Sequence, residues 1–279
     1  MAVLQITNGD EAVKTLQGAT IEGTFLPWRD VLHEGPVPAA LALEALSRVR
    51  ATFIAEQGWG VFSEVLAQFR ERDTTLAGWR RFSDITLWFE YDLYDQLQLI
   101  QILAWFAEQH QVTLPVFLVQ TSECITRYTT DQLQELFALR QEIQPGHLSI
   151  ALEAWQAFRN ATPTVLEDYL NRKQYEIDTF FPYLRKSLQR HLEQFPSVQN
   201  GLARSEHRIL ASIADGIHSP QEILRSLNDE TADVLMLTDL ALNSCLKALA
   251  AGPTPAVVFD GTTVRLTVTG QALQIGRAS

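Results

Sequence analysis

Four short runs of almost wholly apolar residues constrain this chain more than any other feature. They are Val3–Thr7 (VLQIT), Ile21–Leu26 (IEGTFL), Ile85–Phe89 (ITLWF) and Leu114–Gln120 (LPVFLVQ). A strand that alternates apolar and polar residues has one wet face, whereas a near-continuous apolar run must be covered on both faces. The covering elements are present between the runs. Helical spacing appears over Glu11–Gln17, Ala39–Gln57, Val61–Arg72 and Asp92–His110, the last with Leu93, Leu97, Ile100, Leu103 and Ala104 on one stripe. Strands alternating with helices predict an α/β, Rossmann-like, mostly parallel sheet over residues 1–140.

Beyond Thr121 the strand signals stop. Asp131–Arg140, Leu148–Arg159, Pro163–Asn171 and Thr179–Phe195 read as helices, with Thr162-Pro163 as a capping start, and they make residues 141–196 a helical extension. After the linker-like QFPSVQNG, residues 201–279 change character. Ser205 is placed to cap a helix through Ala214, Ser219-Pro220 opens a second through Leu227, and a third runs from about Val234 to Ala250. Ala256–Phe259, an Asp260-Gly261 turn and Thr263–Val268 then form a hairpin. Three helices followed by a hairpin predict a small winged-helix-like domain.

Charge narrows the class of partner. The chain carries 22 Lys and Arg against 33 Asp and Glu, a net charge of −11. Neither half has the basic footprint that drives association with phosphate backbones, which argues against nucleic acid as the partner. The third C-terminal helix offers only Asn243 and Lys247 for such contacts. The N-terminus lacks the basic flank and apolar stretch of a secretory signal, and no segment approaches the ~18 apolar residues of a membrane span. Cys124 and Cys245 stand far apart with no CxxC partner, as expected for reduced thiols in a cytoplasmic protein.

The polar residues that stand out follow the strands, where open α/β sheets bind ligands. Thr7-Asn8-Gly9-Asp10 leaves the first strand and opens a helix, a geometry that suits an anion, although helix capping by Asn8 or Asp10 is the favoured account. The dinucleotide fingerprint GxGxxG is absent. Trp28-Arg29-Asp30-Val31-Leu32-His33-Glu34-Gly35-Pro36-Val37-Pro38 follows the second strand. Here Arg29 can grip a carboxylate or phosphate, Asp30 can orient an imidazole, and His33 with Glu34 can act as general acid or base. A structural ion-pair network remains the competing account of this loop. Glu90-Tyr91-Asp92-Leu93-Tyr94-Asp95-Gln96 ends the third strand. Asp92 and Asp95 suit a first helical turn, while Asp30, Glu90 and Asp92 together suit a hard cation such as Mg2+. After the fourth strand, Ser122 lacks the GxSxG setting of a nucleophile and is expected only to contact a ligand. Spacing typical of zinc ligands is absent.

The segments ITNGD, LPWRDVLHEGPVP and LWFEYDLYDQLQL, in this order, resemble the bacterial domain-of-unknown-function 1835 family over roughly the first 140 residues. The family's third motif usually carries histidine where this chain has Tyr91. The resemblance implies the N-terminal domain and supplies no reaction or residue roles.

Three functions are compatible with these residues. The first is a cytoplasmic enzyme or ligand-binding protein for a phosphorylated or nucleotide-like small molecule, with His33, Asp30, Glu34 and Glu90 as catalytic groups. Asn8, Gly9, Asp10, Arg29, Asp92 and Ser122 would then contact the ligand. The second is a non-catalytic scaffold whose polar loops form interfaces. The third is a transcription-linked protein acting through the winged helix. A homodimer is open under each.

Overall fold

The computed structural model describes residues 2–109, 114–229, 233–235 and 237–275, and the end of the fourth expected helix at His110 lies outside them. The four apolar runs form the parallel strands expected of them. β1 (Leu4–Asn8), β2 (Thr24–Trp28), β3 (Ile85–Glu90) and β4 (Val116–Thr121) lie in the order β2-β1-β3-β4. The chain moves from β1 out to β2 and then crosses β1 to reach β3, so strand order reverses between β1 and β3. In an open α/β sheet that reversal opens a crevice at the carboxyl ends of the two strands.

The sheet has one strand the sequence did not announce. β5 (Gln141–Glu142) pairs antiparallel with β4 through Phe117↔Glu142 and Leu118↔Gln141. Two exposed polar residues carry no periodicity, so nothing local marks them as a strand.

Helices cover both faces of the sheet. α1 (Gly9–Gly18) and α5 (Thr130–Ala138) bury Ala12, Leu16 and Leu133 in a cluster with Trp88 and Val119. α2 (Leu43–Glu56) and α3 (Phe62–Ala77) pack together through Ala51, Ile54, Leu66 and Phe69. α4 (Leu93–Ala107) is buried around most of its circumference, since α6 (Pro145–Phe158) covers the side turned from the sheet. Buried indoles are satisfied by glutamines: Trp28 Nε1 donates to Gln101 Oε1 and Trp88 Nε1 to Gln5 Oε1, both at 2.8 Å.

α7 (Pro163–Arg172) starts with proline at its first position, yet the Thr162 side chain makes no cap bond there. The helix expected over Thr179–Phe195 is two helices, α8 (Gln174–Phe180) and α9 (Leu184–Leu192). Pro182 separates them, because it has no N–H to donate and its ring clashes with the preceding turn.

The chain divides into two compact units, Met1–Leu188 and Gln189–Ser279. In the second, α10 (Arg204–Ala214), α11 (Pro220–Asp229) and α12 (Asp239–Leu249) precede a hairpin of β6 (Val257–Phe259) and β7 (Val264–Leu266), then α13 (Val268–Ile275). Ser205 does not cap α10; it lies inside the helix, where its hydroxyl accepts from Arg190 and donates to Gln194. Instead the N–H of Ala203 is taken by Glu206 Oε2 at 2.8 Å. α12 starts later than expected, at Thr238, whose hydroxyl accepts from the Ala241 N–H. The hairpin turn is held as expected, Asp260 Oδ1 accepting from the N–H groups of Thr262 and Thr263. Among the described residues, no helix is long and apolar enough to cross a membrane.

Candidate functional site

The three polar segments that follow β1, β2 and β3 converge on the first two turns of α4. From β1, the Asn8 side-chain amide donates to Asp95 Oδ2 over 2.5 Å. Asn8 therefore does not cap its own helix; the first residue of that helix is Gly9, at φ +65°, a backbone conformation that favours glycine. Gln98, one turn further along α4, donates from one amide to Asn8 Oδ1 at 3.3 Å and to the Asp30 carbonyl at 2.9 Å. From the loop after β2, the His33 ring packs on Tyr94 with centroids 5.5 Å apart. From β3, the Glu90 N–H donates to Asp95 Oδ1 at 2.8 Å and the Glu90 carbonyl accepts from Gln96 at 2.6 Å.

At the centre are three carboxylates. Glu90, Asp92 and Asp95 each offer an oxygen, and these oxygens lie within 4.8 Å of one another. Asp92 caps α4 by accepting the Asp95 N–H at 2.9 Å, so the capping account of Asp92 holds, while Asp95 faces inward. Burial is the main cause of the shifts in all three. It raises Glu90, pushes Asp92 up to about 6 and raises Asp95 well above the usual carboxylate range, with mutual repulsion adding to the last two. Three such groups cannot all stay ionised unless a cation or a proton offsets them. Oxygen donors of this kind fit a hard divalent ion such as Mg2+.

Cys124 and Tyr91 border the same cluster. The Ile125 N–H donates to Glu90 Oε1 at 2.7 Å, and the Cys124 thiol bonds Glu90. Burial and that carboxylate push the thiol up to about 12, so it stays protonated and donates to Glu90. Tyr91 is raised by burial and by the neighbouring negative groups.

The loop after β2 is organised by a residue outside it. Arg50, on the same α2 stripe as Leu46 and Ile54, is fully buried and donates from Nε to Asp30 Oδ1 at 2.9 Å. The same guanidinium donates to the carbonyls of Val31, Glu34 and Pro36. Asp30 is thus committed to Arg50. It neither joins the carboxylate group, where Asp95 stands instead, nor pairs with His33 in any bond described. Burial still raises Asp30, against the pull of Arg50. It also raises Glu34, again opposed by Arg50.

Arg29 and Asp10 lie together at the exposed rim, joined by a two-pronged ion pair of 2.9 and 2.6 Å. That bond holds Asp10 below its ordinary value and engages the Nε–Nη2 edge of Arg29, leaving Nη1 for any further acceptor. Ser122 is exposed, beyond the end of β4.

The structure brings Asn8, His33, Glu90 and Asp92, from three separate polar segments, to the start of α4. Sequence reasoning missed Arg50, Asp95 as hub, Gln98 and Cys124. The available signal was a set of polar residues at core spacing: Gln96, Gln98 and Gln101 inside an otherwise apolar α4, and Arg50 between Leu46 and Ile54. Comparison with known protein families, with characterised proteins and with solved structures finds no match.

Proposed function

We propose that the α/β unit binds a phosphorylated or nucleotide-like small molecule at the carboxyl ends of β1 and β3, together with a divalent cation. The observation that carries this reading is the group of Glu90, Asp92 and Asp95 at the strand-order reversal. Without a counterion that group repels a phosphate; with Mg2+ it attracts one. His33 lies on the Tyr94 side of the same helix turn, and its imidazole is the group there suited to exchange a proton with a bound ligand. On this reading the protein is cytoplasmic, its first 140 residues belong with the domain-of-unknown-function 1835 family, and its chemistry is acid–base chemistry on the ligand. The C-terminal unit is read as a winged-helix-like module for packing or self-association, consistent with the sparse basic residues of α12.

Thermal melting of the full chain with Mg2+ or Mn2+, alone and with a panel of nucleotides and sugar phosphates, tests the reading. A ligand at 100 times its Kd stabilises the fold by about 2.7 kcal/mol. The expected result is a rise in Tm that needs cation and phosphorylated ligand together and is lost in Glu90→Gln. His33→Phe, which keeps a ring on Tyr94, is expected to stay folded while losing any turnover. No response across the panel sinks the proposal and leaves a scaffold.

A further inference from the structure

The sheet has a one-residue gap in its outer edge, and the gap opens into a cleft. Pro115 accepts from the Ile85 N–H at 3.1 Å, so its main chain faces β3, whereas Val116 accepts from the Ile143 N–H at 2.7 Å and faces the other way. Main-chain groups alternate along a strand, which puts Leu118 and Gln120 on the outer side with Val116. β5 pairs Leu118 with Gln141 and begins there. The residue that would oppose Gln120 belongs to the end of α5, where the Leu139 N–H bonds back to Glu135. Among the described residues, nothing therefore partners the Gln120 N–H or carbonyl, and its buried side-chain Oε1 has no partner either. Unpaired main-chain groups at a sheet edge are costly unless water or a ligand meets them.

The gap faces a cleft of about 320 Å3 lined by Gln120, Leu136, Leu139, Arg140, Phe180 and Tyr183. Tyr183 stands edge-on to Tyr91, centroids 6.5 Å apart, and Tyr91 follows Glu90 in the chain. The cleft and the carboxylate group thus adjoin through two tyrosines.

We infer that this cleft is a ring subsite, in which a planar nitrogen heterocycle presents adjacent donor and acceptor atoms to the main chain of Gln120. The inference deepens the reading above and rests on it for the ligand class, a nucleotide-like molecule whose phosphorylated end lies toward Glu90. Size and polarity both select a ring. The volume is at the small end for ligand pockets, which run to about 300–1,000 Å3. A peptide adding as a strand needs several consecutive open edge residues, whereas β5 already occupies the β4 edge next to Gln120. One strand residue offers its N–H and C=O side by side, matching the neighbouring acceptor and donor on the edge of a nucleobase. The walls supply apolar contact from Leu136, Leu139 and Phe180 and an aromatic face from Tyr183.

The test is titration of the nitrogen-15-labelled full chain with adenosine, guanosine, cytidine and uridine, without cation or phosphate, reading the Gln120 amide signal. At least one nucleoside is expected to shift that signal saturably. Leu139→Trp and Thr179→Trp, at two exposed positions on the cleft wall, are each expected to weaken binding at least tenfold with melting unchanged. The inference is overturned if no nucleoside moves the Gln120 amide, if both tryptophan variants fold and bind as the parent does, or if an extended peptide shifts the signal where nucleosides do not. Nucleoside binding at Gln120 without any Glu90-dependent response to Mg2+ and phosphorylated ligands retains the cleft and discards the carboxylate reading. The reverse pattern discards the cleft alone.

Discussion

Asn8 and Asp95 are 87 residues apart in the chain and 2.5 Å apart in the fold, joined by a hydrogen bond across the strand-order reversal. The bond ties the end of β1 to the first turn of α4 and gives the buried Asp95 one of its two described side-chain bonds from N–H donors, the other coming from Glu90. Asn8→Ala leaves a buried carboxylate oxygen short of a donor, a loss of about 1–3 kcal/mol. Asn8→Asp is expected to be worse, and worse at pH 8 than at pH 5, because it sets a second carboxylate against Asp95. Urea unfolding of the two variants at both pH values checks this; an Asn8→Ala midpoint equal to the parent's would show that the bond contributes nothing.

The second prediction concerns Arg50. Its ion pair with Asp30 is fully desolvated, and the same guanidinium holds three loop carbonyls. Removing one partner of a buried pair typically costs about 3–5 kcal/mol, since the other charge is left stranded. Arg50→Met is expected to lose that much, and Arg50→Lys nearly as much, because an ammonium cannot span the four acceptors that the planar fork reaches. Adding Asp30→Asn to Arg50→Met is expected to recover part of the loss. Limited proteolysis of Arg50→Met should cut first within residues 29–38. Equal resistance of that segment in parent and variant would refute the stapling role.

The strands were legible because burial on both faces forces an apolar run, and VLQIT, ITLWF and LPVFLVQ are such runs whatever else the chain does. β5 was not legible, since its two polar residues pair only because β4 lies beside them. The loop WRDVLHEGP was legible as a place where ionisable groups gather, yet its internal logic was not. Arg50, which orders it, lies on a helix whose periodicity looks merely amphipathic. Asp95 shows the same limit. A carboxylate in a first helical turn has a sufficient local explanation in the dipole, and only the position of β1 turns it into a hub. Local signals disclose an element and its covered face; the partner of a buried polar group depends on which strands become neighbours.

The carboxylate group makes stability depend on pH in a definite direction. Below its ordinary value of 3.8, Asp92 is protonated whether folded or not; between there and about 6 the unfolded chain releases the proton while the folded chain keeps it. The Asp92 contribution to stability therefore falls as pH rises through this window, by on the order of 3 kcal/mol, and is constant above it. Glu90 and Asp95 are raised as well and act with the same sign. Asp92→Asn keeps a capping acceptor and removes the charge, so it is expected to flatten the slope and to be more stable than the parent at pH 8 without cation. Mg2+ is expected to stabilise the parent at pH 8, to do little at pH 4.5, and to do little for Asp92→Asn at either. Urea midpoints across a pH series decide the matter; an unchanged slope in Asp92→Asn would sink it.

His191 works in the opposite sense, in the unit that begins at Gln189. Burial lowers it from 6.5 to about 4, and it packs edge-on to Phe195 with centroids 5.7 Å apart. At neutral pH it is uncharged in the folded and unfolded chains alike. As pH falls below 6.5 the unfolded chain takes up a proton that the folded chain refuses until about 4. Stability is thus lost over that interval, on the order of 3 kcal/mol in all, and levels off below it. His191→Gln removes the titrating group and is expected to hold the acid limb of the C-terminal unit's unfolding transition level between pH 6.5 and 4.5. The parent should lose ground steadily over the same range. Because the cluster at Asp92 gains stability over that range, the two units are expected to respond to acid in opposite directions. Segment-resolved hydrogen exchange at pH 7 and pH 5, corrected for intrinsic rates, reads each unit by itself, and parallel changes in both would show that His191 does not govern the acid response of its own unit.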